Sequence, residues 1–298
     1  MSVARDQLAS RVIPKMTLSS ASNPLTAPIL DLGDSPATRA TNRFTVSGNA
    51  LVTGGAGGLG LAAARGLLEH GCTGLCLCDL ENSMISAKSQ ILQLQKDFSN
   101  VRIIKRILDV TQETAVNAAV TEVAEELGSI DVLLCFAGIV SCVHAIDVSA
   151  SEWRKVLDTN TTGSWLCAQA AARHMIKQGT GGSIVLMASI SGHTVCFPQP
   201  QVAYNTSKAA ILHMGRTLAA EWAQHGIRVN MVSPGYMDTI LNEGAGLDDA
   251  KREWYAHNAM GRMGDPSELI GPVVLLCSAA GRYMTGADIV IDGGQTLF

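Results

Sequence analysis

The sequence predicts an α/β fold, a doubly wound, parallel, seven-stranded sheet with helices on both faces. Three features carry this expectation. Seven short runs are apolar or β-branched throughout rather than alternating, as strands buried on both faces are. Longer segments with apolar residues at helical spacing separate many of them, some closed by glycine. A glycine cluster follows the first run and opens the first helical segment.

In chain order the strand candidates are "ALVT" (50–53), "GLCLC" (74–78), "VRIIKRI" (101–107), "DVLLCF" (131–136), "SIVLM" (183–187), "IRVNMV" (227–232) and "DIVI" (288–291). Segments such as "LGLAAARGLLEHG" and "ETAVNAAVTEVAEELG" supply the helices between them. Strands alternating with helices in this way form one parallel sheet. No break in composition marks a second domain, so residues 46–298 are expected to form a single unit. Residues 1–45 differ. Stretches such as "TLSSASNPLTAPILDLGDSPATRATN" have neither period, which points to a mobile or surface-hugging arm.

Composition excludes several classes of function. The chain has 298 residues, 47% hydrophobic and 16% charged, enough for a large core in a soluble protein. A net charge of −4 argues against nucleic acid or an anionic membrane as principal partner, and no apolar run reaches the length of a bilayer span. The eight cysteines lie in apolar contexts such as "LCLCD" and "LLCFAG", without a CxxC pair or zinc-like Cys/His spacing. Reduced thiols in a cytoplasmic protein without a metal are therefore expected. Arg5, Arg11 and Lys15 give the first residues a faint mitochondrial-presequence character, which Asp6 interrupts.

The first strand candidate runs into "TGGAGGLG", Thr53 to Gly60. Glycine at 54, 58 and 60 permits a tight turn, close approach of the backbone to a pyrophosphate, and packing of helix on strand. Amides at the start of the helix, around Gly58, Leu59 and Gly60, would then face the phosphate. Asp79, closing the second strand, stands where an acid accepts from the adenosine ribose hydroxyls. It favours NAD over NADP, as does the absence of a basic residue at Gly57 and Leu80. A turn residue or a helix cap is the lesser, alternative reading of Asp79.

"YNTSK" places Tyr204 and Lys208 on one face of a helix, one turn apart. Alone, that is compatible with an ordinary amphipathic helix. Together, "TGGAGGLG", "CFAG", "DTNTTG", "YNTSK", "SPG" and the closing "TGADIVIDGG" stand in the order of the short-chain dehydrogenase/reductase family. Residues 45–298 resemble its single-domain branch. The resemblance implies a Rossmann-type fold, a nicotinamide cofactor, and a catalytic tetrad of Asn160, Ser189, Tyr204 and Lys208. Tyr204 would move the proton of a secondary alcohol or ketone. An ammonium within about 4–6 Å favours its phenolate. Lys208 would also bond the nicotinamide ribose, Ser189 the substrate oxygen, with Ser191 as its competitor. Asn160 would hold a relay water.

The same resemblance implies further cofactor contacts at Asp109, Val110, Ala137, Gly138, Pro234, Gly235, Met237 and Thr239. Phe136 departs from the family's usual asparagine, so different local support for the sheet is expected there. Residues 240–264 would form a substrate lid, with Gly244, Gly246 and Gly261 as flexible points and Trp254 and Tyr255 either covering substrate or packing on the body. His193 and Gln199 are candidate substrate contacts, although His193 also fits a solvated loop.

Sequence around "VAYNTSKAA" and "SPGYMDT" is similar to fungal polyol dehydrogenases, which interconvert a sugar alcohol such as arabinitol or mannitol with its ketose. A reductase of polyketide or terpenoid intermediates is the alternative. A non-catalytic cofactor-binding regulator would show a damaged tetrad, and an extended-branch epimerase would need a longer C-terminal region. "SWLCAQAAARHMI" and "ILHMGRTLAAEW" resemble the family's subunit-pairing helices, implying a homotetramer or homodimer.

Overall fold

Each strand candidate forms in the computed structural model, which describes residues 14–29, 33–239 and 245–298. The strands are β1 (Asn49–Thr53), β2 (Gly74–Asp79), β3 (Arg102–Ile107), β4 (Val132–Cys135), β5 (Gly182–Met187), β6 (Ile227–Pro234) and β7 (Asp288–Ile291). All pair in parallel, in the order β3-β2-β1-β4-β5-β6-β7. Alternate residues of each central strand enter opposite cores. Leu51, Cys76, Leu133, Ile184 and Met231 point to one. Val52, Leu77, Leu134, Val185 and Val232 point to the other. This explains the unbroken apolar runs, since neither face meets water.

Before the sheet comes α1 (Pro36–Phe44), whose N-terminus is capped by Ser35. The crossovers carry α2 (Gly58–Glu69), α3 (Glu81–Ser86), α4 (Lys88–Asp97) and α5 (Glu113–Leu127). Next come α6 (Ala150–Leu157) and α7 (Gly163–Gln178), joined by a π-turn at Asp158–Thr162, and α8 (Val202–Trp222). The last are α9 (Asp248–Ala256) and α10 (Ile270–Cys277). Buried residues of α5, α7 and α8 fill the first core, and those of α2, α4 and α10 the second.

The strand order reverses between β1 and β4, where Thr53 pairs with Cys135. Such a reversal opens a crevice at the carboxyl ends of the strands. The glycine turn leaves β1 there and the Ala137–Gly138 segment leaves β4 beside it.

The described part of the arm is tied to the body. Asn23 Nδ2 donates to the Gln224 carbonyl at 2.8 Å, and Arg282 Nε donates to the Ala27 carbonyl at 2.7 Å. Residues 1–13, with the presequence-like Arg5 and Arg11, and residues 30–32 lie outside the described residues. So does 240–244, the first part of the expected lid, including Gly244. Among the described residues all eight cysteines are free thiols, no cluster of metal-ligating side chains occurs, and no helix is long and apolar enough to cross a membrane.

Candidate active site

The glycine turn is shaped by contacts that leave no room for side chains. Gly54 has φ of +67°, and a Cβ there would lie 2.6 Å from the Phe136 carbonyl carbon and the Ala137 nitrogen. A Cβ on Gly60 would meet the Gly54 carbonyl oxygen at 2.1 Å. Gly58 faces Thr239 across the crevice, 3.3 Å from the Thr239 methyl by the same measure. The start of α2 has no side-chain cap, so its first amides are available to an acceptor on a ligand. An uncapped helix start against a glycine floor fits a pyrophosphate.

Asp79 closes this turn from the side. Its Oδ2 accepts from the Ala56 amide at 3.0 Å and its Oδ1 from the Leu80 amide at 2.8 Å. Asp109 accepts from the amide and hydroxyl of Thr111 at 3.0 and 2.8 Å, while Val110 is buried against Gly163. Phe136, where the family's asparagine was expected, packs into the second core. Thr53 gives polar support nearby, with its Oγ1 accepting from the Ala137 amide at 3.4 Å.

The four tetrad candidates converge at the ends of β4 and β5. Tyr204 and Lys208 stand one turn apart on α8, with Lys208 Nζ 5.5 Å from the centre of the Tyr204 ring. Nζ also donates to the Met187 carbonyl at the end of β5, at 2.7 Å. Burial pushes this ammonium down to about 8. Burial pushes the Tyr204 phenol up, and a hydrogen bond with Ser189 opposes it. Ser189 is buried in extended backbone just after β5, where its Oγ accepts from the Ser191 amide at 3.1 Å.

Asn160 sits in the π-turn and its side-chain amide makes three hydrogen bonds. Oδ1 accepts from the Ile139 amide at 2.8 Å, and Nδ2 donates to the Ile139 carbonyl and to Ser207 Oγ, each at 2.9 Å. Ser207 Oγ in turn donates to the Tyr204 carbonyl at 2.7 Å. The loop after β4 is thereby linked to the first turn of α8. A Cβ on Gly138 would lie 3.3 Å from Asn160 Oδ1 and 3.7 Å from Lys208 Nζ, so the backbone closes over both. Sequence reasoning missed Ser207 and the Met187 carbonyl. The full burial of Ser207, which obliges its hydroxyl to find a partner, shows only in the structure.

Beyond β6, the Gly235 amide donates to the Ile291 carbonyl at 2.9 Å, and a Cβ there would meet Asp292. Pro234 ends β6, and Met237 is buried against Gly264. His193 Nε2 lies 2.7 Å from Asp288 Oδ2 and 3.2 Å from Ser233 Oγ, which ties the loop after β5 to β7. Gln199 Oε1 accepts from Tyr236 Oη at 2.8 Å and from Trp254 Nε1 at 3.0 Å. Trp254 is 1% exposed and stacks on Tyr236, with centroids 3.9 Å apart, whereas Tyr255 is 38% exposed.

A parallel sheet with a glycine-floored crevice and a half-buried tyrosine one turn from a buried lysine defines a dinucleotide-dependent oxidoreductase. The chain belongs to the short-chain dehydrogenase/reductase family. Residues 54–296 match the family model described as "Enoyl-(Acyl carrier protein) reductase". An NADP-dependent mannitol dehydrogenase of Hypocrea jecorina is 38% identical over 265 residues, 87% of this chain and 97% of that protein. A short-chain type dehydrogenase/reductase from Mycobacterium marinum superposes with a TM-score of 0.76 at 39% identity, covering 85% and 97% of the two chains. An NADPH-dependent 3-quinuclidinone reductase from Rhodotorula rubra gives 0.81 at 31% identity, covering 91% and 100%. This chain is a nicotinamide-dependent oxidoreductase of secondary alcohols and ketones.

The comparisons correct one expectation. A preference for NAD was inferred from Asp79 and from the lack of a basic residue at Gly57 and Leu80, but relatives carrying the same fold use NADP or NADPH. The geometry supplies the reason. Both Asp79 carboxylate oxygens accept from amides that brace the turn, so the acid has a structural role of its own and its presence alone does not select the cofactor.

Proposed function

We propose that this protein interconverts a sugar alcohol and its ketose with NADP(H), using Asn160, Ser189, Tyr204 and Lys208. The observation that carries the reading is the placement of Lys208 Nζ 5.5 Å from the centre of the Tyr204 ring, with Ser189 near enough to the same phenol to lower its pKa. Kinship with a mannitol dehydrogenase supports the polyol class.

A bound nicotinamide supplies or accepts the hydride. Gly54, Gly58, Leu59 and Gly60 would hold the pyrophosphate, Ala137, Gly138 and the 234–239 segment would border the nicotinamide half, and Asp109 and Val110 would border the adenine. Lys208 would bond the nicotinamide ribose. Ser189 holds the substrate oxygen against Tyr204, and the loop bearing His193 and Gln199 borders the substrate. In ketone reduction Tyr204 donates its proton to the carbonyl oxygen, which suits a phenol kept protonated by burial. In alcohol oxidation Lys208 provides the positive charge that favours the phenolate. Asn160 keeps Gly138 and Ile139 in place above the lysine.

The test is a screen of polyols, simple secondary alcohols and ketones with both nicotinamides. Turnover of a polyol with NADP exceeding that with NAD is expected, and so is its loss in Tyr204→Phe with NADPH affinity kept within about threefold. Retained turnover in that variant defeats the assignment.

A homotetramer paired through α7 and α8 belongs to the same proposal, supported by Trp165 and Ile176 standing exposed on α7. Light scattering on the purified protein tests it. Residence in the cytoplasm is likewise proposed, supported by the free thiols.

A further inference from the structure

Three segments around the site meet at one oxygen atom. Gln199 lies on the loop entering α8, five positions before Tyr204; Tyr236 follows β6; Trp254 is the buried residue of α9. Gln199 Oε1 accepts from both aromatic side chains. An indole N–H only donates, so the amide oxygen must face it, and the two lone pairs of that oxygen are matched by two donors. Burial pushes the Tyr236 phenol up, which keeps it a donor. The other end of α9 is fastened too. Asn258 Nδ2 donates to the Asp292 carbonyl at 2.7 Å, and the Met260 amide donates to the Gly293 carbonyl at 3.0 Å.

We propose that Gln199 is a positioning residue that clamps the lid helix α9 to the loop carrying Tyr204 and thereby sets the apparent affinity for the alcohol or ketone. The inference rests on the function proposed above. It gives Gln199 a role through Trp254 and Tyr236 rather than through a substrate contact. Without an acceptor at position 199 the indole N–H and the phenol lose their partner in a buried setting, and the lid is held less firmly over the substrate. The effect falls chiefly on substrate affinity, because neither Lys208 nor the glycine turn touches this trio; of its three members only Tyr236 lies in the 234–239 segment assigned to the nicotinamide half.

The experiment compares wild type with Gln199→Leu, Gln199→Glu and Tyr236→Phe, using mannitol or the best polyol of the screen as probe. In Gln199→Leu, KM is expected to rise about tenfold, with kcat and NADPH affinity each within about threefold. Proteolytic cleavage within residues 245–264 should accelerate, a readout independent of any substrate. Gln199→Glu keeps an acceptor and should lie closer to wild type on both measures. Tyr236→Phe keeps the stack but loses one donor, so a smaller KM rise in the same direction is expected even if Gln199→Leu fails to fold. Unchanged KM and proteolysis in Gln199→Leu, or no KM rise in Tyr236→Phe, overturns the proposal. So does a loss confined to kcat or NADPH binding. Failure of the underlying reading is separate, because it shows as turnover surviving in Tyr204→Phe.

Discussion

Lys208 places its ammonium 5.5 Å from the centre of the Tyr204 ring while donating to the Met187 carbonyl at 2.7 Å. The helix brings the two side chains together, and the sheet fixes the charge between them.

Burial lowers Lys208 from its ordinary 10.5 to about 8, and this has a sign that can be measured. Between those values the unfolded chain holds a proton that the folded chain has released. Stability from this group therefore rises with pH from about 8 towards 10.5, by up to about 1.4 kcal/mol per pH unit. Buried cysteines such as Cys167 and Cys277, raised to about 12 by burial, act oppositely, but they are common to wild type and Lys208→Met. The difference in urea unfolding free energy, wild type minus Lys208→Met, should become more favourable to wild type as pH climbs through this window. A flat difference refutes the buried-lysine account.

Gly60→Ala should damage the cofactor site more than any neighbouring substitution on α2. Its Cβ would sit 2.1 Å from a backbone oxygen that no rotamer change can move. We expect NADPH affinity to fall at least about tenfold, with a stability loss of about 1–3 kcal/mol from overpacking. Fluorescence titration and chemical unfolding measure both.

Asp79→Ala addresses the corrected cofactor preference. Removing the acceptor of the Ala56 and Leu80 amides should loosen the turn for either nicotinamide. NADPH and NADH affinities are expected to fall together, with their ratio changing less than about threefold. A selective gain for one cofactor would show that the carboxylate discriminates after all.

Ser207→Ala interrupts the link from Ile139 through Asn160 to the Tyr204 carbonyl. Asn160 Nδ2 would keep its bond to Ile139, so the stability loss should stay at about 1 kcal/mol. A fall in kcat of about three- to tenfold at unchanged KM is expected; unchanged kcat would make this hydroxyl purely structural.

The sequence showed what repeats locally. Strands with both faces buried leave unbroken apolar runs, a positive-φ turn leaves glycine at Gly54, and a helical pair leaves Tyr204 and Lys208 at i and i+4. It concealed what depends on which atoms meet in space. Nothing in the residue types at 79 distinguishes a carboxylate that binds ribose from one that braces Ala56. Gln199 was legible as a residue passing near the pocket, but its two donors lie 37 and 55 positions away. The π-turn at Asp158–Thr162 has no signature in "DTNTT" beyond its polarity.

That π-helical turn makes one residue of the continuous helix from Ala150 to Gln178 a spacer. Excising Thr161 would return the segment from Ala150 to Gln178 to uniform α-helix, yet it would swing everything upstream by roughly 100° about the axis. Glu152, whose Oε1 accepts from Ser141 Oγ at 2.6 Å, would leave that partner, and the carboxamide at 160 would no longer face Ile139. A shorter, more regular rod would thus be a worse enzyme, because this segment works as an adjustable coupling whose extra length is part of the fit.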